Sequence, residues 1–191
     1  MALQEPSAWP DRWRSPMTER VSEQRVFFAL WPNAGLRASL SALARRMPAN
    51  GRPVPAEHLH LTLAFPGTVT AGKVAEMVER TDALRLPQIR LVLEELGWFR
   101  RPRVAWVGPA QAEPELEALA VRLNELCRAT GVAMEDRPFR PHVTLRRFVT
   151  RFESVSIEPL DWRPREMVLI ESGQGGHPGP YRVLHSWVLS G

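Results

Sequence analysis

Two four-residue stretches constrain this chain more than any other feature. His60-Leu61-Thr62-Leu63 and His142-Val143-Thr144-Leu145 share the pattern His, apolar, Thr, apolar, and their histidines lie 82 residues apart. Each follows a proline-bearing turn, with Pro55 before the first and Pro138 and Pro141 before the second. Each also opens a segment patterned as a β-strand. Alternate residues of a strand project from one face, so each stretch presents an imidazole beside a hydroxyl. The leucines and valine on the opposite face anchor the strand in a core. If approximate two-fold symmetry relates the two halves of the chain, the two polar faces meet across one cleft.

Two imidazoles and two hydroxyls around a small space suit in-line displacement at phosphorus. That reaction takes a proton from the attacking oxygen on one side and gives one to the leaving oxygen on the other. Histidine, with an ordinary pKa of about 6.5, can do either near neutral pH. Threonine hydroxyls can donate to the non-bridging oxygens, where charge is held. No metal is needed for this chemistry, and no metal or other cofactor is expected. His58 and His60 sit at alternate positions and could share an ion, but no further His–Asp combination supplies the remaining ligands. His58 is therefore expected at a turn or strand start. On the residues alone, either motif histidine can be the acid or the base.

The intervening segments alternate irregularly between strand and helix patterns, which indicates an α+β protein with antiparallel sheets. A short β-rich run begins at Arg25. Asn33 is a candidate N-cap for a helix carrying Leu36, Leu40, Leu43 and Met47. Thr70 caps a second helix, in which Val74, Met77, Val78 and Thr81 share a face. The spacing of Leu116, Leu119, Leu123, Leu126 and Cys127 predicts a third over 115–130, stopped by Gly131. Cys127 on that stripe reads as a small packed hydrophobe. Strands are expected at 60–65, at 89–93 with 104–107 as its partner, and at 143–148, 166–171 and 181–189. Gly173–Gly179, which contains His177, reads as a mobile turn, and His185 as a packed residue of the last strand. Residues 1–23 mix Pro, Ser, Gln and charge with Trp9 and Trp13, and read as a flexible extension ahead of a domain spanning 24–191.

At this point the chain resembles the 2H phosphoesterase superfamily, named for paired His-x-Thr-x motifs. Within it, the chain is most similar to the RNA 2′,3′-cyclic phosphodiesterases, also called 2′-5′ RNA ligases. The likeness runs from about Arg25 to Leu189. It is carried by Arg25-Val-Phe-Phe-Ala-Leu, His58-Leu-His-Leu-Thr-Leu-Ala-Phe, Arg103-Val-Ala-Trp, and Arg137-Pro-Phe-Arg-Pro-His-Val-Thr-Leu-Arg-Arg. The resemblance implies a bilobal fold, two antiparallel sheets with pseudo-two-fold symmetry around a central cleft, and helices outside. It implies His142 as the activator of water, His60 as the acid protonating O3′, and a 2′-phosphomonoester product. Thr62, Thr144 and Arg147 then contact phosphate, and Phe28 approaches the nucleoside. Strict alternation disagrees at one position, since it puts Arg146 rather than Arg147 on the face of His142. A bulge or the strand end would turn Arg147 in.

Charge and composition narrow the setting. The formal net charge is +4, and Lys73 is the lone lysine among 25 basic residues. Arginine's planar fork suits phosphate oxygens. Arg137, Arg140, Arg146, Arg147 and Arg151 fall in fifteen residues without an acid, with Glu135 and Asp136 just upstream. They read either as a solvated face or as a groove for an RNA backbone. Trp98, Phe99 and Trp106 read as core before base-stacking residues. One cysteine excludes a disulfide framework, no apolar run of bilayer-spanning length occurs, and no secretory signal pattern opens the chain. A cytoplasmic monomer acting on RNA with cyclic phosphate ends, away from membranes, is expected. The rivals are a 2′-5′ RNA ligase, a phosphodiesterase for small cyclic nucleotides, and a non-catalytic RNA- or nucleotide-binding module.

Overall fold

The computed structural model describes residues 23–111, 113–173 and 179–190. The expected extension with Trp9 and Trp13, and the glycine-rich segment around His177, lie outside the described residues apart from Glu23, Gly173 and Gly179.

The first strand, β1, spans Glu23–Leu30, two residues earlier than its apolar run suggests. Helix α1, Ala34–Arg46, starts where the Asn33 side chain accepts the Leu36 amide at 2.9 Å. It buries Leu36, Leu40 and Leu43. A two-residue strand, β2 (Arg52–Pro53), and a 3₁₀ turn, Ala56–His58, lead into β3, Leu61–Thr70. Thr70 ends that strand and caps α2, Ala71–Asp82, by accepting the Lys73 amide. Helix α3, Pro114–Ala129, has proline at its first position, where no intrahelical donor is lost. It stops at Gly131, at φ +76°, with Val132 N–H to Cys127 O and Gly131 N–H to Arg128 O closing the last turn. Cys127 is fully buried, 3.9 Å from the Met77 sulfur, and burial pushes its thiol up to about 12, so it packs and does not react.

The remaining strands are β4 (Leu91–Leu93), β5 (Glu95–Phe99), β6 (Val104–Gly108), β7 (Val143–Arg147), β8 (Leu160–Trp162), β9 (Glu166–Ser172) and β10 (Arg182–Val188). All pairings are antiparallel. One group runs β10-β9-β1-β3, the other β7-β6-β5 with β2 also on β7, and a single residue pair, Leu61 with Val143, joins them. Helices α2 and α3 pack on β3, while α1 packs on β7 and β2. The α+β, antiparallel, two-lobed expectation therefore describes the molecule.

The lobes are not the two halves of the chain. The N-terminal β1 is flanked by β3 and the C-terminal β9, and α1, although it follows β1 directly, crosses to the other lobe. One expected pairing is also corrected. Residues 91–93 pair with β8, and 104–108 pair with β5 and β7. Alternation reports which face of a strand is buried, and both Leu91 and Leu93 are, but it carries no information about the neighbouring strand. No helix among the described residues is long and apolar enough to cross a membrane.

Candidate active site

The junction between the lobes is built from the second residue of each motif. Leu61 and Val143 are fully buried and pair antiparallel. Extending that register by one residue each way sets Thr62 opposite His142 and His60 opposite Thr144. The four polar residues occupy the corners of a rectangle on the face away from the core, with the histidines on one diagonal and the threonines on the other. Diagonal neighbours across an antiparallel pair have about 7–8 Å between them, which leaves space for one phosphoryl group.

Both histidines are held by the same device. The Nδ1–H of His60 donates to the carbonyl oxygen of His58 at 2.7 Å, and that of His142 to the carbonyl of Arg140 at 2.7 Å. A carbonyl can only accept, so Nδ1 carries the proton in each ring and Nε2 is left to exchange protons with a ligand. His58 thus acts through its backbone at the end of the 3₁₀ turn, while its ring lies 4.3 Å from that of Tyr181.

Aromatic rings wall both histidines. Around His60 stand Phe27 at 4.7 Å, Tyr181 at 5.5 Å and Trp31 at 6.2 Å between ring centroids. Around His142 stand Phe99, edge-on at 5.1 Å, and Trp106 at 6.1 Å. Trp106 lies flat because its cross-strand partner is Gly97, where a Cβ would sit 2.0 Å from the indole. Phe99 and Trp106 are thus more than core. The expectation for Phe28 is corrected: it has no exposure and packs against Trp187 on the core side of β1. Its neighbour Phe27, with Ala29, faces the cleft, because adjacent strand residues point to opposite faces. Phe27, Trp31 and Tyr181 were missed by sequence reasoning. The apolar Phe27-Ala29-Trp31 alternation opposite the Val26-Phe28-Leu30 face was the available signal.

The two adjacent arginines separate cleanly. In the β6–β7 pairing Ala105 faces Arg146 and Trp106 faces Thr144, so Leu145 is the extra residue of a bulge. A bulge inverts the alternation beyond it. Arg146 turns away from the cleft and donates to the carbonyls of Ala44, in the last turn of α1, and Gly51, at 2.7 and 2.9 Å. Arg147 turns inward, and its charge acts on His60, His142 and Tyr181. The first motif has the same irregularity: β1 pairs Phe28 with Ala64 and Ala29 with Thr62, leaving Leu63 extra. The fourth residue of each motif is bulged, a second mark of the pseudo-dyad. Arg137, by contrast, is ion-paired with Glu135 at 3.1 Å.

Burial among these rings is the main cause that lowers both histidines. His60 falls to about 4, its bond to His58 opposing the shift and the Arg147 charge adding to it. His142 is lowered by burial, against its bond to Arg140 and with help from Arg137 and Arg147. Both rings are therefore neutral at neutral pH in the free protein. Between pH about 6.5 and about 4 the unfolded chain binds a proton at position 60 that the folded protein refuses, so stability drops as pH falls through that window. Denaturant midpoints measured from pH 7 to 4.5 should fall less steeply in His60→Gln than in the natural protein. Parallel profiles would contradict this account of the ring's environment.

A cleft with one histidine and one threonine from each of two pseudo-symmetric strands defines the protein as a 2H phosphoesterase. Residues 30–106 match the family model described as LigT like Phosphoesterase, a span that includes the first motif. The RNA 2′,3′-cyclic phosphodiesterase of Escherichia coli is 35% identical over 173 residues, 87% of this chain and 97% of that protein. That of Thermus thermophilus is 31% identical over 87% and 91%, respectively. The crystal structure of E. coli LigT complexed with 3′-AMP superimposes with a TM-score of 0.79 at 34% identity, covering 89% of this chain and all of the other. The chain belongs to the LigT-like phosphoesterase family.

Proposed function

We propose that this protein hydrolyses the 2′,3′-cyclic phosphate at an RNA 3′ end, leaving a 2′-phosphomonoester. The observation that carries the reading is the histidine diagonal set by the Leu61–Val143 pair, with each Nδ1 anchored to a backbone carbonyl so that each Nε2 is left to exchange protons with a ligand. Water enters beside His142, whose neutral Nε2 takes its proton as the oxygen attacks phosphorus. The bond from phosphorus to O3′ breaks on the opposite side, and O3′ takes a proton from Nε2 of His60. Thr62 and Thr144, on the other diagonal, donate to the non-bridging oxygens, and Arg147 balances the growing negative charge.

The lowered pKa values fit this cycle. A neutral His142 is a base without delay. His60 must acquire a proton, and the negative phosphodiester entering beside it supplies the charge that favours the imidazolium. A turnover leaves the proton on His142 and none on His60, and solvent exchange restores the starting state.

The test is incubation with an oligoribonucleotide ending in 2′,3′-cyclic phosphate, separating 2′- from 3′-phosphate products. The expected result is the 2′-phosphate alone, at a rate that a chelator leaves unchanged. A 3′-phosphate product, or no turnover, would overturn the reading.

A further inference from the structure

In-line displacement fixes where the rest of the RNA goes. Both bridging oxygens belong to the terminal ribose, which stays bonded to phosphorus through O2′, so on the proposed reading, on which this inference rests, the RNA body lies opposite the attacking water, on the side of O3′ and its acid, His60. Along β7 that is the direction from Thr144 towards Arg147 and Phe148.

Three features meet there. Arg52 of β2 is the direct cross-strand partner of Arg147, so two guanidinium groups share one face. Like charges placed directly opposite each other are destabilising, and among the described residues neither arginine has a carboxylate within ion-pair distance. Phe148 is 58% exposed, with the Arg52 guanidinium 5.9 Å from its ring centre. It also adopts φ +60°, a left-handed conformation that a bulky side chain disfavours. Glycine would hold that turn without strain and without presenting a large apolar ring to water. An uncompensated arginine pair beside a solvent-facing aromatic matches what a single-stranded nucleic acid offers, a phosphate followed by a base.

We propose that Arg52 and Phe148 form a second nucleotide subsite, which takes the penultimate nucleotide of the RNA. The phosphate linking it to the terminal nucleotide lies between Arg52 and Arg147, and its base stacks on the Phe148 ring. The substrate class is then an oligoribonucleotide end, and a mononucleoside 2′,3′-cyclic phosphate uses only part of the site.

The experiment compares a dinucleotide ending in 2′,3′-cyclic phosphate with the mononucleoside 2′,3′-cyclic phosphate, on the natural protein and on Arg52→Gln and Phe148→Gly. Stacking and one phosphate contact should give the dinucleotide an advantage in kcat/KM of about 10-fold or more. Either substitution should remove most of that advantage while leaving the mononucleoside rate unchanged. Phe148→Gly suits the left-handed turn, so the fold is retained. Equal kcat/KM for the two substrates, or an advantage that survives both substitutions, would overturn the subsite. Absence of hydrolysis of either would overturn the phosphodiesterase reading instead. In that event, binding of the dinucleotide 2′-phosphate against the mononucleotide 2′-phosphate still decides the subsite: equal affinity rejects it, and tighter dinucleotide binding lost in Phe148→Gly supports it.

Discussion

His142→Ala should lower turnover of an RNA 2′,3′-cyclic phosphate by about 10²- to 10⁴-fold, and His60→Ala by a similar factor, the range one positioned proton-transfer group contributes. Both variants should stay folded. Each ring makes one hydrogen bond to a carbonyl two residues upstream and otherwise touches aromatic walls. Removing the half-buried His60 imidazole, which resists protonation, even relieves a cost at low pH. The double variant should be little worse than either single one, because the acid and base act in one concerted event. Circular dichroism and a steady-state assay check this together. Hydrolysis within a few-fold of the natural rate by either variant would remove that histidine from the mechanism.

The adjacent arginines should part company. Arg147→Ala should cost about 10²-fold in kcat/KM by removing charge stabilisation at the phosphoryl group, with an unfolding midpoint close to that of the natural protein. Arg146→Ala should do the reverse. It strips two charged donors from the carbonyls of Ala44 and Gly51, for which about 2–3 kcal/mol of stability is expected, while leaving kcat/KM within a few-fold. The division rests on the bulge at Leu145. If Arg146→Ala proved the inactive variant and Arg147→Ala the unstable one, the inverted alternation beyond that bulge would be wrong.

Much of the site was legible because its chemistry is local. A His-x-Thr pair needs only period-two geometry to set two groups on one face, and two such pairs imply a shared cleft. Helix boundaries were legible for the same reason, since Asn33 and Thr70 cap through residues three positions away. Pairing between distant segments was not. Nothing local in Leu91-Val92-Leu93 distinguishes β8 from β6 as its neighbour, and β8 itself is three residues long. The crossing of α1 to the opposite lobe is likewise a matter of which apolar faces meet. Phe28 shows the limit of likeness as a guide: Phe27 and Phe28 are the same residue type, and only the face that β1 turns to the core decides which ring the cleft receives. The bulges at Leu63 and Leu145 add one residue against a partner strand, so they become visible only once the partner is known.

The assignment of acid and base across the diagonal is the central claim, and one substrate addresses it directly. In a cyclic phosphate whose 3′-bridging oxygen is replaced by sulfur, the leaving group is a thiolate, which departs without a proton because its pKa is far below that of an alkoxide. Turnover of this substrate by the two alanine variants should diverge. His60→Ala should recover most of the activity of the natural protein, and His142→Ala should remain as impaired as on the oxygen substrate. Recovery by His142→Ala, or by neither variant, would contradict the account.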